Sequence, residues 1–130
     1  MRSTNLLIID DDADILEILR LEFEDEPGYR ADITGVVDTA LFLAKKNHYD
    51  AIISDWRMPV MNGTELVGAL RQQGCTAAII IYSGKEMDAD IRETLDAGAD
   101  YFVSRRGDPD SEFAELKQTL AAIVTHKTAA

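Results

Sequence analysis

Three aspartates in this sequence follow apolar runs, a position where a carboxylate can take part in chemistry. Asp10 and Asp11 come after the run Leu6–Ile9, and Asp55 comes after Asp50–Ser54. Converging carboxylates repel one another, by roughly 4 kcal/mol per pair at ~4 Å and an effective dielectric of about 20, unless a proton or a cation intervenes. An all-oxygen site suits Mg²⁺, which keeps open positions for phosphate oxygens. These residue types favour phosphoryl transfer, with one carboxylate as the nucleophile.

Two further polar residues follow apolar runs later in the chain. Ser83 comes after Ala77–Tyr82, and Arg105 comes shortly after Tyr101–Val103. A serine hydroxyl can donate to a phosphoryl oxygen, and an arginine guanidinium can bind one as a charge-assisted fork. A lone serine there is usually a turn residue, and a lone arginine is usually solvated. Their joint placement after successive apolar runs favours membership of the same site as the aspartates.

The chain alternates between short apolar runs and helical patterns, which predicts five strand–helix units. The predicted strands are Leu6–Ile9, Arg30–Thr34, Asp50–Ser54, Ala77–Tyr82 and Tyr101–Val103. The predicted helices begin near Asp14, at an Asp38 N-cap, at Glu65, at Asp88 and at Pro109. Such alternation is typical of an α/β fold with a parallel sheet covered on both faces by helices. Ligands bind such sheets at the carboxyl ends of the strands, so neighbouring first and third strands would bring the three aspartates together.

Length and charge restrict the functional classes. The 130 residues suit one domain, and we expect a single domain over residues 1–130 with a disordered, frayed tail from about residue 125. There are 24 acidic and 13 basic residues, which gives a formal net charge of −11. Direct nucleic-acid binding requires a basic surface, and anionic membranes attract cations. Both are therefore disfavoured as partners.

The cysteine content indicates the compartment. Cys75 is the only cysteine, so the chain forms no intrachain disulfide, which is typical of a reducing compartment. The sequence shows neither a secretory leader pattern nor an apolar run long enough for a membrane span. We therefore expect a cytoplasmic protein.

Three motifs occur in an order that a known family shares. Ile8–Asp12 carries an acidic strand end, Asp55–Gly63 contains Met-Pro and a Gly eight residues after its Asp, and Ala97–Asp100 precedes the last strand. With these motifs the chain resembles the receiver domain of two-component response regulators over essentially its whole length. The resemblance implies a flavodoxin-like, doubly wound sheet of five parallel strands in the order 2-1-3-4-5, with five helices.

The resemblance also implies roles for the acidic residues. Asp55 would accept a phosphoryl group from a histidine kinase or a phosphotransfer protein. Asp10 and Asp11, together with Asp55 and the backbone carbonyl of Arg57, would hold Mg²⁺.

The resemblance assigns switching and tuning to a second group of residues. Ser83 occupies the Thr/Ser switch position and Phe102 the aromatic switch position. Arg57 and Lys85, two residues after Asp55 and Ser83, would tune dephosphorylation. Phosphorylation would bias a pre-existing equilibrium and shift the face formed by the fourth helix, the fifth strand and the fifth helix. That face is the candidate docking surface for a protein target or for a second copy in a homodimer.

The sequence departs from the family pattern at one place. The family's usual Lys falls on Arg105, and the Pro that usually follows falls on Arg106. Arginine keeps the charge and binds phosphate, but it is bulkier than lysine and differs from it in geometry. The missing Pro removes the expected cis peptide bond. The orientation of Arg105 is therefore the structural feature that best separates the functional hypotheses.

Other functional classes remain as alternatives. A pseudo-receiver would bind proteins without phosphorylation, and Arg105 in place of the usual Lys motivates it. Asp10-Asp11-Asp12 has an Asp-x-Asp spacing like that of haloacid-dehalogenase-type phosphatases, but Asp14 stands where that motif has Thr or Val. Flavin or dinucleotide binding fits poorly because the first turn is Asp-rich rather than Gly-rich. The leading hypothesis is a phosphoacceptor and not a turnover enzyme, either as a stand-alone receiver or as a module of a larger protein.

Overall fold

The middle strands of the sheet are apolar on both faces, which requires a layer of helices on each side. The computed structural model describes residues 3–84 and 88–129, with side chains up to residue 124. Its elements in chain order are β1 (Thr4–Ile9), α1 (Ala13–Glu24), β2 (Tyr29–Thr34), α2 (Val37–Lys46), β3 (Ala51–Ser54), α3 (Gly63–Gln72), β4 (Ala78–Ser83), α4 (Asp88–Ala97), β5 (Tyr101–Ser104) and α5 (Pro109–Ala129). Strands and helices alternate throughout, as the sequence predicts.

The sheet has the strand order β2-β1-β3-β4-β5, and every neighbouring pair is parallel. This order confirms the predicted α/β class and topology. The order reverses between β1 and β3, which are neighbours although α1, β2 and α2 separate them in the chain. Ile9 of β1 lies beside Ser54 of β3. The residues that follow these two strands therefore start from adjacent points at the carboxyl edge of the sheet.

Alternate residues of each strand enter different cores, because successive side chains point to opposite faces. Leu7 of β1 belongs to the cluster that α2 and α3 cover, whereas its neighbour Leu6 belongs to the cluster that α1 and α5 cover. Helix residues of the first cluster include Val37, Ala40, Leu66, Val67 and Leu70. Those of the second include Leu16, Leu19, Phe23, Leu116, Leu120 and Ile123. Burial on both faces fixes the strand ends that carry the candidate site.

The start of α2 differs from the sequence prediction. Val36 is the N-cap residue and makes no side-chain cap, whereas Asp38 lies in the first turn. The predicted Asp38 cap is therefore wrong. Val37 and Ala40 are buried against the sheet, so core packing sets where this helix begins. A carboxylate in the first turn still interacts favourably with the helix dipole.

Two other helices extend beyond their predicted limits. α3 begins at Gly63, before the predicted start at Glu65, because Asn62 and Glu65 form a reciprocal capping box. α5 continues through residues 125–129, where the sequence analysis expects a frayed tail. No Gly or Pro follows Pro109 to stop this helix. Among the described residues, no helix combines the length and the apolar character that crossing a bilayer requires.

Candidate functional site

Three carboxylates converge at the carboxyl edge of the sheet, as the sequence predicts. The backbone N–H of Asp55 donates to the carbonyl of Ile9 at 3.0 Å, so the ends of β3 and β1 stay side by side. One carboxylate oxygen from each of Asp10, Asp11 and Asp55 lies within 4.8 Å of the other two. Asp10 is buried, Asp55 is half-buried and Asp11 is exposed. We call this cluster the acidic pocket; it is buried at Asp10 and open to solvent at Asp11.

The electrostatic environment of Asp10 disfavours its charged form. Burial raises the pKa of this carboxyl above its ordinary value, and the charge of Asp55 adds to the increase. The backbone N–H of Asp12, at 2.9 Å from Oδ1, and the guanidinium of Arg105 oppose that increase without cancelling it. A cation in the pocket would stabilise the ionised carboxylates. The donors are all oxygen atoms, the ligand type that Mg²⁺ prefers, so the residues present fit this ion.

The carboxylate of Asp55 is oriented by two hydrogen-bond donors. The hydroxyl of Ser83 donates to Oδ1 at 2.7 Å, and the backbone N–H of Trp56 donates to the same oxygen at 2.8 Å. Ser83 is only 4% exposed and ends β4, next to β3 in the sheet. Ser83 therefore lies at the predicted place. Both donors therefore engage the same oxygen, Oδ1, of the Asp55 carboxylate.

The loop after Asp55 is anchored by the indole of Trp56. Its Nε1–H donates to the Thr94 hydroxyl at 2.9 Å, and that hydroxyl lies 2.7 Å from the Thr64 hydroxyl. Gly63 permits this packing, since a Cβ there would lie 2.6 Å from Cδ1 of Trp56. Thr94 is fully buried in the middle of α4. The residue beside Asp55 is thus hydrogen-bonded directly to α4.

We expect Thr94→Val to lower the free energy of unfolding by about 1–2 kcal/mol, because it removes a buried partner of the Trp56 N–H. Urea unfolding measures this change. Thr119→Val is the matched control, since both hydroxyls donate to the carbonyl four residues earlier, at 2.6 Å for Thr94 and 2.8 Å for Thr119. Equal losses in the two variants would show that the contact with Trp56 contributes nothing.

Arg105 lies in the pocket but pairs with Asp10. Its Nη2 is 2.5 Å from Oδ2 of Asp10 and 2.9 Å from the carbonyl oxygen of Tyr82. The centre of the guanidinium lies 4.4 Å from the centroid of the Tyr82 ring, a cation–π contact. The Nε of Arg105 is buried and has no hydrogen-bond partner among the described residues. A guanidinium directed at Asp55 would keep the role of the Lys that the resemblance implies, and one directed at solvent would favour the pseudo-receiver. The side chain instead pairs with Asp10.

The loop after β5 is held by a carboxylate at the position where the resemblance implies a proline. The backbone N–H of Arg106 donates to Oε2 of Glu112 at 2.5 Å, and that of Asp108 donates to the same oxygen at 3.2 Å. The Tyr82 hydroxyl donates to Oε1 at 2.6 Å. A proline at position 106 would have no N–H to donate. No cis peptide bond occurs in the described part of the chain.

Two of the three remaining predicted site residues, Phe102 and Arg57, lie in the part of the chain that the structure describes. Phe102 is half-buried on β5 and packs against the core cluster that α2 and α3 cover. Arg57 is exposed in the loop between β3 and α3, two residues after Asp55. Lys85 lies outside the described residues. The roles of these three residues stay predictions.

Sequence reasoning missed three buried polar residues near the site. Tyr82, Thr94 and Glu112 are 3%, 0% and 7% exposed, and each is hydrogen-bonded through its side chain. A tyrosine inside an apolar strand signals a hidden partner, because a buried phenol needs one. For Thr94 and Glu112 the sequence carries no comparable signal, since both lie on helices whose pattern accepts polar residues.

Comparison with known proteins identifies relatives of the whole fold. The profile of the family described as "Response regulator receiver domain" matches residues 6–117. The response regulator ArlR of Staphylococcus haemolyticus is 33% identical over 117 residues, which cover 90% of this chain and 52% of ArlR. The chain thus spans about half the length of this curated relative.

Solved structures agree with the fold. The receiver domain of Francisella response regulator 1452 is 29% identical with a TM-score of 0.83, and the match covers 96% of this chain and 99% of that one. The receiver domain of sensor histidine kinase PA1611 from Pseudomonas aeruginosa, solved with a magnesium ion in its active-site cleft, is 22% identical with a TM-score of 0.80. That match covers 95% of this chain and 98% of the other. With the family profile covering most of the chain and the same sheet order in the structure, this chain belongs to the response regulator receiver domain family.

Proposed function

We propose that this chain is a phosphorylatable receiver module whose Asp55 accepts a phosphoryl group in a Mg²⁺-dependent reaction. The observation that carries the proposal is the orientation of Asp55, held by Ser83 and Trp56 beside two further carboxylates. The donor would be a phosphohistidine of a histidine kinase or of a phosphotransfer protein. The magnesium ion in the PA1611 receiver supports the same ion here.

The reaction is a displacement at phosphorus. The carboxylate oxygen of Asp55 that Ser83 and Trp56 leave available attacks, and a new O–P bond forms as the bond from phosphorus to the donor breaks. The leaving group departs with the electron pair of that bond. When bound by Asp10, Asp11, Asp55 and the carbonyl of Arg57, Mg²⁺ would supply positive charge against the developing charge on the phosphoryl oxygens.

Phosphorylation would switch the face formed by α4, β5 and α5. The hydroxyl of Ser83 now donates to Asp55 and would donate to a phosphoryl oxygen once the carboxylate is esterified. Ser83 pairs with Ser104 of β5, so its movement acts on the strand that carries Phe102. The Trp56–Thr94 hydrogen bond gives the phosphoacceptor loop a direct contact with α4. Arg57 and Lys85 would then set how fast the phosphoryl group is lost.

The proposed partners are proteins. Leu95 of α4 and Tyr101 of β5 are 39% and 42% exposed on the switching face, which suits docking of a target or of a second copy. The net charge of −11 disfavours direct contact with nucleic acid or with an anionic membrane. The single cysteine is in keeping with the cytoplasm as the compartment.

The test is incubation with acetyl phosphate and Mg²⁺, followed by intact-mass measurement. We expect one phosphoryl group per chain, formed with Mg²⁺ but not with EDTA. Hydroxylamine should release it, because this reagent cleaves an acyl phosphate but not a serine phosphate. A stoichiometry of one without continued release of phosphate would support a phosphoacceptor over a turnover enzyme.

The pseudo-receiver is the second candidate, and the pairing of Arg105 with Asp10 favours it. It predicts no adduct under any of these conditions and no effect of Mg²⁺ on the melting temperature. The phosphoacceptor should be stabilised by Mg²⁺, since an ion that binds only the folded state raises stability by mass action. An adduct that hydroxylamine removes would rule the pseudo-receiver out.

A further inference from the structure

The guanidinium of Arg105 already occupies the cation-binding side of the acidic pocket. Its Nη2 lies 2.5 Å from Oδ2 of Asp10, a carboxylate that is only 1% exposed. The other oxygen of Asp10 accepts from the Asp12 backbone N–H at 2.9 Å. A divalent ion on Oδ2 would lie within a few ångströms of the guanidinium, and the two positive charges would repel each other.

Arg105 is held in this place by more than the ion pair. Nη2 also donates to the Tyr82 carbonyl at 2.9 Å, and the guanidinium stacks on the Tyr82 ring. That ring is itself fixed by the hydrogen bond from its hydroxyl to Glu112. The backbone of Arg105 also packs closely against Gly84, where an added Cβ would lie 2.9 Å from the Arg105 carbonyl oxygen. The arginine is thus built into the pocket.

The Nε of Arg105 makes no hydrogen bond with the described residues in this arrangement. Its Nε–H is buried and unpartnered among the described residues, so no hydrogen bond on that nitrogen resists a change of rotamer. A guanidinium presents its donors as a planar fork that matches phosphate oxygens. A change of rotamer that moves the guanidinium away from Asp10 would therefore replace the Asp10 carboxylate with the phosphoryl group as its anionic partner, once a phosphoryl group is present.

We propose that Arg105 is an internal counter-ion that competes with the divalent cation for Asp10 and sets the metal affinity of the site. In the metal-free state the guanidinium pairs with Asp10. In the metal-bound state the cation binds the carboxylates, and the guanidinium of Arg105 leaves Oδ2 of Asp10. The inference rests on the metal site of the proposed function, and it requires no phosphorylation.

The test is calorimetric titration of the metal-free protein with Mg²⁺. Arg105→Gln should bind Mg²⁺ about tenfold more tightly than the wild type, because the competing charge is gone. Arg106→Gln is the matched control, since it removes the same charge from the next residue, whose side chain is exposed. It should bind like the wild type. Arg105→Lys keeps the charge but loses the contact of the guanidinium with the Tyr82 ring, so its affinity for Mg²⁺ should lie between those of the wild type and Arg105→Gln.

Each result of the titration either supports or overturns the proposal. Binding by Arg105→Gln that equals or falls below that of the wild type would overturn the proposal, and so would a failure of the wild type and all three variants to bind Mg²⁺. Equal gains in Mg²⁺ affinity in the Arg105→Gln and Arg106→Gln variants would also overturn it, because the loss of one positive charge alone would then explain the gain. Binding by Arg105→Gln alone would support it in its strongest form. Because the titration uses metal only, a chain that shows this gain but forms no phosphoryl adduct would refute the proposed function and leave the counter-ion role standing.

Discussion

Replacing Asp55 with asparagine is expected to abolish the phosphoryl adduct, with a loss on the order of 10³-fold or more. The amide is a far weaker nucleophile than the carboxylate, yet it has nearly the same shape. Its oxygen can still accept from Ser83 and Trp56, which now donate at 2.7 and 2.8 Å. The fold should therefore be kept. Intact-mass measurement after incubation with acetyl phosphate and Mg²⁺ gives the extent of phosphorylation.

The matched control for this prediction is Asp12→Asn. Asp12 caps α1 by accepting from the backbone N–H of Asp14 and Ile15, and an asparagine oxygen can replace that cap. The variant removes one negative charge near the pocket without touching the nucleophile. It should form the adduct as the wild type does. An adduct that persists in Asp55→Asn, and that peptide mapping places on another residue, would contradict the assignment of Asp55.

Truncating Glu112 to alanine should lower the free energy of unfolding by about 2–4 kcal/mol. Its carboxylate accepts from the Tyr82 hydroxyl at 2.6 Å and from the Arg106 N–H at 2.5 Å. Tyr82 is 3% exposed, so its hydroxyl would be left buried without this partner. Urea unfolding measures the loss. Glu115→Ala is the control on the exposed side of the same helix, and it should change stability by less than about 0.5 kcal/mol.

The contribution of Glu112 should also depend on pH. Burial alone would raise its pKa, but hydrogen bonds from the Tyr82 hydroxyl and from the backbone N–H groups of Arg106 and Asp108 hold the pKa below its ordinary value of 4.5. The ionised carboxylate therefore adds stability above pH 4.5, and this stability is lost as the pH falls through the lower pKa of the folded state. The stability difference between the wild type and Glu112→Gln should therefore stay constant well above pH 4.5 and narrow as the pH falls below 4.5. A difference that also stays constant below pH 4.5 would show that protonation of Glu112 is not involved.

The structure gives a role to Arg106, which stands where the resemblance implies a proline. The backbone N–H that Arg106 provides is bound by Glu112, which also binds Tyr82 of the neighbouring strand. The loop after β5 is thus connected to β4 through hydrogen bonds where the family pattern has a proline. Arg105, which precedes this loop, stacks on the same Tyr82 ring. The two departures from the family pattern are therefore parts of one local arrangement.

Most of the fold and the location of the site follow from patterns read along the chain. Continuous apolar runs such as Leu6–Ile9 indicate strands buried on both faces, and their alternation with helical patterns predicts a parallel sheet. Asp10 and Asp55 directly follow such strands, so their convergence needs only that β1 and β3 be neighbours. These features are readable because burial imposes a periodicity on consecutive residues.

Contacts between distant residues could not be read in this way. Arg105 lies 95 positions from Asp10, and Trp56 lies 38 positions from Thr94. Core packing also set a helix boundary that the capping signal predicted wrongly, since α2 has Val36 and not Asp38 as its N-cap residue. Periodicity reports which face of an element is buried, but it does not report which polar atoms meet inside. The partner of Arg105 depends on how β1, β4 and β5 pack together. Only the tertiary structure therefore decided that a guanidinium pairs with Asp10 in the acidic pocket.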